Sequence, residues 1–253
     1  MESRVALFLA AVALINTQCG GLPQASIDKQ KNVLFIMVDD LRPEIGAYGA
    51  DWVISPRLDA LAKKSLVFDR MYTAVSVCGP ARSAILTGRR ADSTHAWSLS
   101  GSEGYWRNYM PDAYSLPQYF KESGYLTIGL AKLFHPDAIS GNDDVAYSWS
   151  PEGLPYFHTA DTVSPPDSAA GWWAANVSDD ALMDGVTANV AVAKLAEIKA
   201  NRTAGTDARP FFLGVGFHKP HMAEYCPQQY DTVSCCFYHL PSVNMALPSG
   251  QPV

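Results

Sequence analysis

The sequence predicts an α/β fold in which helices flank a mostly parallel β-sheet. Three continuous apolar runs of strand length occupy residues 32–38, 125–131 and 210–216, and such runs are typical of strands buried on both faces of a parallel sheet. Segments with helix-capping signals lie between these runs. The chain has 253 residues, of which 48% are hydrophobic, so it can bury a substantial core. This alternation of strands and helices indicates an α/β domain.

The predicted helices begin and end at capping residues. Ser55 and Pro56 suit the start of a helix that follows the first strand. Ser115 suits the start of a second helix, and Gly124 suits its C-terminal cap. A third helix is predicted over residues 179–202. Its apolar stripe contains Leu182, Val186, Val190, Ala193, Leu195 and Ala196.

Each predicted strand is followed by ionisable residues. These are Asp39 and Asp40 after the first strand, Lys132 and His135 after the second, and His218, Lys219 and His221 after the third. In open parallel sheets, ligands bind beyond the carboxyl ends of the strands. We therefore expect these residues to meet at one edge of the sheet. For any one of them alone, a surface lysine or a histidine at the edge of the core is the alternative interpretation.

Asp39 and Asp40 are the candidate metal ligands. Two adjacent carboxylates just past a buried strand are costly to bury unless a cation lies nearby. Hard oxygen ligands of this kind suit calcium or magnesium. The alternative interpretation is an exposed pair of aspartates in a loop.

Cys78 is the candidate nucleophile. Strand-like residues 66–68 and 71–73 lead to it, and the residues that follow it predict a helix. Pro80 suits a first helical position, because its missing N–H group costs nothing there. The positive end of this helix, together with Arg82, favours an anion beside Cys78. A buried structural thiol or half of a disulfide is the alternative interpretation of this cysteine.

The spacing of fixed residues in this segment resembles the signature of the sulfatase family. The matching positions are Cys78, Pro80, Arg82, Thr87 and Gly88. The resemblance implies an alkaline-phosphatase/sulfatase-like fold. It also implies that the cysteine is oxidised in the endoplasmic reticulum to formylglycine, the aldehyde whose hydrate attacks sulfur.

A longer similarity links the chain to the amino-terminal part of the iduronate-2-sulfatases. It extends over residues 30–248 and is weak through residues 137–205. The segments that carry it are residues 32–43, 118–125, 132–136 and 211–221.

This resemblance implies a set of site residues. One calcium ion is bound by Asp39, Asp40 and the modified Cys78. The catalytic residues are Cys78, Arg82, Lys132, His135 and His221. Arg82 holds the formylglycine hydrate, and the lysine and the two histidines bind sulfate or transfer protons. His221 matches the family histidine better than His218 does.

The implied function is a sulfuric ester hydrolase that removes 2-O-sulfate from iduronate in heparan and dermatan sulfate during glycosaminoglycan degradation. Its implied partners are a sulfated glycosaminoglycan and the formylglycine-generating enzyme. Two alternatives remain open. The first is another hydrolase of the superfamily, acting on aryl sulfates or on phosphonate or phosphate esters. The second is a catalytically inactive secreted fragment that binds glycans.

The sequence lacks one part of the sulfatase pattern. Sulfatases complete the calcium site with a later strand that ends in Asp-His-Gly or Asp-Asn, and no such pair follows His221. We therefore expect residues 26–253 to be an incomplete, apparently truncated sulfatase N-terminal domain. Missing strands would expose an apolar sheet edge, so we also expect low stability.

The amino-terminal residues predict entry into the secretory pathway. Residues 1–25 combine Arg4, an apolar run too short to span a bilayer and a group of small and polar residues, as in a cleaved signal peptide. A signal anchor or an N-terminal core helix is the alternative, and no later segment predicts a membrane span. Asn176 and Asn201 lie in N-glycosylation triplets. We expect a lysosomal or secreted glycoprotein.

The net charge limits the classes of partner. A formal charge of −6 excludes general binding to nucleic acid or to anionic membranes, since both require a basic face. A polyanionic substrate would therefore have to be attracted by a local group of cations.

The remaining cysteines cluster near the C-terminus. They are Cys226, Cys235 and Cys236. An odd number in an oxidising compartment implies at least one unpaired thiol or an intermolecular bridge. Their spacing is not a good zinc-binding pattern.

Overall fold

A computed structural model of the chain describes residues 30–99, 104–136, 138–151 and 172–230. All elements named below belong to one unit that begins at Val33. The predicted signal peptide and two of the clustered cysteines, Cys235 and Cys236, lie outside the described residues.

The described residues form five strands and six helices, together with short 3₁₀ turns. The strands are β1 (Val33–Val38), β2 (Leu126–Ala131), β3 (Trp172–Ala175), β4 (Phe211–Phe217) and β5 (Glu224–Pro227). The helices are α1 (Pro56–Ala62), α2 (Cys78–Thr87), α3 (Ala91–Thr94), α4 (Leu116–Glu122), α5 (Val145–Ser148) and α6 (Met183–Ala204). The predicted α/β fold class is therefore confirmed, and β1, β2 and β4 are the three predicted strands.

A parallel sheet with the strand order β1-β4-β2 forms the centre of the fold. Its register places Val38 beside Phe217 and Ala131 beside Gly216, so the three carboxyl ends are level. The pairing continues past the strands, because the N–H of Asp39 donates to Phe217 O at 3.0 Å. All three strands therefore deliver their following residues to one edge, as the sequence predicted.

Helices pack against both faces of this sheet at its central strand, β4. Alternate residues of β4 point to opposite sides, with Phe212 on one side and Leu213 and Val215 on the other. The Phe212 side packs against residues from α2, α4 and the segment after β2. The other side packs against α6, through Ala191 and Ile198 among others. Burial of apolar area on both faces is what stabilises the sheet.

Glycines in β4 allow close packing at its centre. A Cβ atom on Gly216 would lie 1.9 Å from the carbonyl oxygen of Lys132, and one on Gly214 would lie 2.6 Å from Leu133 Cδ1. Because no side chain stands at these two positions, the chain that leaves β2 can fold back against β4.

Capping follows the prediction at α4 but not at α1. The hydroxyl of Ser115 accepts the N–H of Gln118 at 3.1 Å, as expected of an N-cap. Ser55 precedes α1, but its hydroxyl accepts the N–H of Gly46 and donates to Asp59. It therefore ties α1 to the preceding turn instead of capping the helix.

One expectation of local structure was wrong. Residues 66–68 and 71–73 form no strand, and most of their apolar side chains are largely exposed.

The predicted apolar stripe of α6 is confirmed in part. Val190 and Leu195 pack against the core, whereas Ala193 and Ala196 are exposed. The residues that α6 buries are Thr187, Ala191, Lys194 and Ile198. They follow the helical spacing i, i+4, i+7, i+11 and include a lysine and a threonine, which a search for apolar residues passes over.

A second, two-stranded parallel sheet joins β3 to β5. The ring of Trp173 lies 6.5 Å from that of Tyr225 across this sheet. Cys226 in β5 is disulfide-bonded, so this member of the cysteine cluster has no free thiol.

One side of β1 is uncovered in the part of the chain that the structure describes. Leu34 and Ile36 are 49% and 52% exposed, and β1 pairs with a strand only on its β4 side. These two apolar side chains lie on the face of the sheet that α6 covers at β4. Among the described helices, none has the length and apolar character that crossing a bilayer requires.

The difference in burial between β2 and the exposed side of β1 can be tested with matched substitutions. Ile128→Ala should lower the free energy of unfolding by about 2–5 kcal/mol, because it leaves a cavity at a fully buried position against α6. Ile36→Ala removes the same atoms from a half-exposed position and should cost less than about 1 kcal/mol. Urea unfolding followed by circular dichroism measures both, and equal losses would contradict the assignment of the core.

Candidate active site

Cys78 lies at the first position of α2. Val77 before it is extended, with φ −138° and ψ 130°, and the Ala81 N–H donates to Val77 O at 2.9 Å. The side chain is partly exposed and lines an open cavity of about 670 Å³. Its thiol is free, so the disulfide interpretation of Cys78 is excluded. A thiol at a helix N-terminus and open to a cavity can reach a ligand that approaches from solvent.

A buried ion-pair cluster lies beside Cys78. Arg82 Nη2 donates to Asp39 Oδ1 at 2.8 Å, and Lys132 Nζ contacts Asp39 Oδ2. The exposed fractions of these three side chains are only 4%, 4% and 9%. One carboxylate therefore binds a cation from α2 and a cation that follows β2.

Arg82 also holds the backbone that follows β2. Its Nη1 donates to the carbonyl oxygens of Lys132 and Leu133, the latter at 3.1 Å. Because α2 places Arg82 one turn after Cys78, both side chains lie on the same face of the helix. The position of Cys78 is thereby coupled to the end of β2.

Two cations keep Asp39 ionised. Burial raises the pKa of Asp39, but the hydrogen bond from Lys132 and the positive charge of Arg82 outweigh burial and hold this pKa below its usual value of 3.8. Asp40 has a different environment, because its side chain is 54% exposed.

The two histidines after β4 have different partners. His221 Nε2 lies 3.8 Å from Asp39 Oδ2 and 3.9 Å from Asp40 Oδ2. His218 Nδ1 lies 3.6 Å from Asp184 Oδ1, at the start of α6. Asp184 also accepts the backbone N–H groups of His218 and Lys219, both at 2.8 Å. The structure thus brings His221 to the aspartates and holds His218 against α6.

His135 packs close to the start of α2. A Cβ atom on Gly79, the residue after Cys78, would lie 3.6 Å from His135 Cβ and 3.2 Å from Leu99 Cδ2. His135 is partly buried and close to the main chain that carries Cys78. All the sequence-predicted site residues are therefore found around the level carboxyl ends of β1, β2 and β4.

The donor atoms at this edge fit a hard cation only in part. Single ligand atoms of Asp39, Cys78 and His221 lie within 4.8 Å of one another, and Asp40 faces the same histidine. Carboxylate oxygens suit calcium, whereas a thiol and an imidazole do not. Oxidation of Cys78 to an oxygen-bearing group would remove the mismatch at that position. The two carboxylates are fewer than the six to eight oxygens that calcium takes.

Sequence reasoning missed Glu224, which lines the same cavity. Burial raises the pKa of the Glu224 carboxyl, and the positive charge of Lys219 opposes this effect. Lys219 Nζ itself lies 3.9 Å from the centre of the Tyr225 ring. The only sequence signal for Glu224 was its position three residues after His221.

Comparison with known sequences identifies relatives over most of the chain. The sulfatase family model matches residues 31–243. The chain is 38% identical over 240 residues to human iduronate 2-sulfatase, covering 87% of this chain and 40% of that protein. It is 30% identical over 204 residues to human N-sulphoglucosamine sulphohydrolase, covering 81% of this chain and 34% of that protein. The chain therefore spans between one third and two fifths of the length of these curated relatives.

Solved structures share the fold. A phosphonate monoester hydrolase from Silicibacter pomeroyi aligns with a TM-score of 0.54 and 21% identity, covering 81% of this chain and 44% of that one. A 2-O GAG sulfatase aligns with a TM-score of 0.53 and 22% identity, covering 76% of this chain and 36% of that one. At these identities, the likeness concerns the fold alone.

The buried pair at Asp39 should be required for stability. Arg82→Met leaves a buried carboxylate without one of its cations and two carbonyl oxygens without their donor, so we expect a loss of about 3–5 kcal/mol in unfolding free energy. Arg209→Met breaks the more exposed pair with Asp207 and should cost about 1 kcal/mol or less. Urea titration measures both, and a small loss for Arg82→Met would refute the structural role of the pair.

Proposed function

The chain belongs to the sulfatase family, and on this premise we propose that it hydrolyses sulfuric esters with a formylglycine made from Cys78. The observation that carries the proposal is the buried cluster in which Asp39 contacts Arg82 and Lys132 beside the free Cys78. A helix N-terminus and two cations form a site suited to a tetrahedral anion.

The proposed chemistry starts at Cys78. Once oxidised to formylglycine, this side chain supplies a hydrated aldehyde oxygen as the nucleophile toward sulfur. Arg82, on the same face of α2, would hold that oxygen and favour its deprotonated form. An unmodified thiol lacks the second hydroxyl group that is needed to release sulfate afterwards.

Lys132, His221 and His135 have the remaining proposed roles. Lys132 would bind the sulfate oxygens and offset the negative charge that develops on them. His221 would donate a proton to the departing sugar oxygen, and His135 would accept the proton whose removal regenerates the aldehyde. Partial burial of both histidines limits the water that competes for these protons.

Asp39 and Asp40 would hold one calcium ion. When bound, the ion supplies Lewis-acid polarisation of the oxygens near Cys78. The two carboxylates provide the charge for such an ion, and Arg82 and Lys132 keep Asp39 ionised at neutral pH.

The proposed substrate is the 2-O-sulfate of iduronate in heparan and dermatan sulfate. Support comes from the 38% identity to human iduronate 2-sulfatase over 87% of this chain. We propose a secretory protein, lysosomal or secreted, whose residues 1–25 are a signal peptide and whose residues 26–253 form a sulfatase N-terminal domain. Asn176 is exposed in the structure and accessible to glycosylation.

Oxidation of Cys78 can be tested by mass spectrometry. After secretory expression with the formylglycine-generating enzyme, the tryptic peptide of residues 71–82 should have the mass of the aldehyde instead of the thiol. Cys78→Ser removes the substrate of the oxidation and should leave that peptide at its unmodified mass. An unmodified cysteine in the unsubstituted chain would contradict the proposed nucleophile.

The different environments of the two histidines predict different kinetic effects. His221→Gln should lower kcat/KM on a disaccharide that carries terminal iduronate 2-sulfate by about 10²–10⁴-fold, because it removes a proton donor next to Asp39. His218→Gln, which alters a contact with Asp184 instead, is the matched control and should have little effect.

The same assay should include an aryl sulfate and a phosphonate monoester. Preference for either compound would contradict the proposed substrate and would indicate one of the other hydrolase classes of the superfamily. Equal effects of the two histidine substitutions would contradict the role given to His221.

A further inference from the structure

A second buried ion pair joins Arg107 to Asp144. Arg107 donates to Asp144 through Nε at 2.6 Å and through Nη2 at 2.7 Å, and the exposed fractions of the two side chains are 7% and 0%. Arg107 Nη2 also donates to Gln118 Oε1 at 2.6 Å. The guanidinium lies over the rings of Trp106 and Tyr147, at 4.2 and 4.3 Å. We call the Arg107–Asp144 pair the clamp.

The clamp holds an unusual turn. Gly141, Asn142, Asp143 and Asp144 all have left-handed backbone angles, with φ of 56°, 63°, 56° and 53°. Among residues with a side chain, asparagine and aspartate adopt this conformation most readily. A run of several such residues still persists only where the surrounding structure determines it. Here the fixing groups are the clamp and the Trp149 indole, whose N–H donates to Asp143 O at 3.0 Å.

Ser140 connects this turn to His135. The Ser140 hydroxyl donates to the carbonyl oxygen of His135 at 2.5 Å and accepts the N–H of Asp143 at 2.9 Å. Its own carbonyl accepts the N–H of Asp144 at 2.8 Å. Ser140 is completely buried. A single hydroxyl thus joins the backbone of a candidate catalytic histidine to the turn.

We propose that Ser140 is a positioning residue for His135. The clamp fixes the turn, the turn orients the Ser140 hydroxyl, and the hydroxyl holds the backbone of His135 against the first turn of α2. A small displacement of the clamp would therefore move His135, the candidate proton-transfer group, relative to Cys78. Proton transfer requires the donor and the acceptor to lie within hydrogen-bond distance of each other. The inference rests on the proposed function only for the role of His135.

A purely structural role for this network makes a different prediction. Ser148 is also completely buried and also belongs to the network, because its hydroxyl contacts Asp144 Oδ2 and lies 2.6 Å from Ser115 Oγ. If the network serves stability alone, Ser140→Ala and Ser148→Ala should have the same consequences. If Ser140 positions His135, only Ser140→Ala should change the surroundings of that ring.

The experiment compares the two variants of the full chain by ¹H–¹³C NMR of the histidine rings. Disappearance of signals in His135→Gln assigns the His135 resonances, and urea unfolding measures the stability of each variant. We expect Ser140→Ala to shift the His135 ring resonances, and Ser148→Ala to leave them in place at a comparable loss of stability. Unchanged His135 resonances in folded Ser140→Ala, or equal shifts in both variants, would overturn the proposal. If Ser140→Ala does not fold, Ser140→Cys keeps the volume and carries the same test.

Addition of inorganic sulfate separates this inference from the proposed function. In the presence of calcium, sulfate should perturb the His135 resonances of the unsubstituted chain, and more weakly those of Ser140→Ala. Absence of any sulfate effect in the unsubstituted chain would count against the proposed role of His135. The spectra without sulfate would still decide whether Ser140 positions the ring.

Discussion

The buried carboxylate of Asp39 is the constraint on which the rest of the site depends. Asp39 directly follows β1, yet its two oxygens contact Arg82 from α2 and Lys132, which directly follows β2. A buried carboxylate without cations would be strongly destabilising, so the two cations must stay where they are. Their positions in turn fix the helix that begins at Cys78 and the segment that leads to His135. Charge pairing therefore adds to strand pairing and apolar packing in fixing how these three elements meet.

The sheet register makes this pairing possible. β1 and β2 both pair with β4, and their carboxyl ends are level. The segment that follows β2 can approach β4 closely because Gly216 has no side chain. A shift of one residue in either pairing would turn Asp39 or Lys132 to the opposite face of the sheet. The site is thus a consequence of strand pairing as much as of the charged residues themselves.

Local charge explains how an acidic chain can bind an anion. The chain carries a formal charge of −6, and at the site Arg82 and Lys132 offset the charges of Asp39 and Asp40. Without a metal the cluster is close to neutral, and a divalent cation would give it the net positive charge that a sulfate ester requires. The α2 N-terminus adds its partial positive charge at the same place. If the proposed substrate is correct, attraction of a sulfated polyanion would come from this edge of the sheet and not from the surface as a whole.

The sequence by itself determined the α/β class, the three central strands and the residues that follow each of them. It could do so because continuous apolar runs and the capping residues of α4 are local signals. Local residue patterns did not decide which histidine faces Asp39: the family resemblance favoured His221, and only the tertiary structure shows the physical reason. His218 and His221 are three residues apart in similar sequence surroundings, and Asp184, 34 residues before His218, holds the first of them. Ser140 is a second example. Its contact with His135 depends on a turn held by the pair between Arg107 and Asp144, which are 37 residues apart in the sequence. These partners are set by burial and by contacts between residues that are far apart in sequence. Neither can be predicted from local residue patterns.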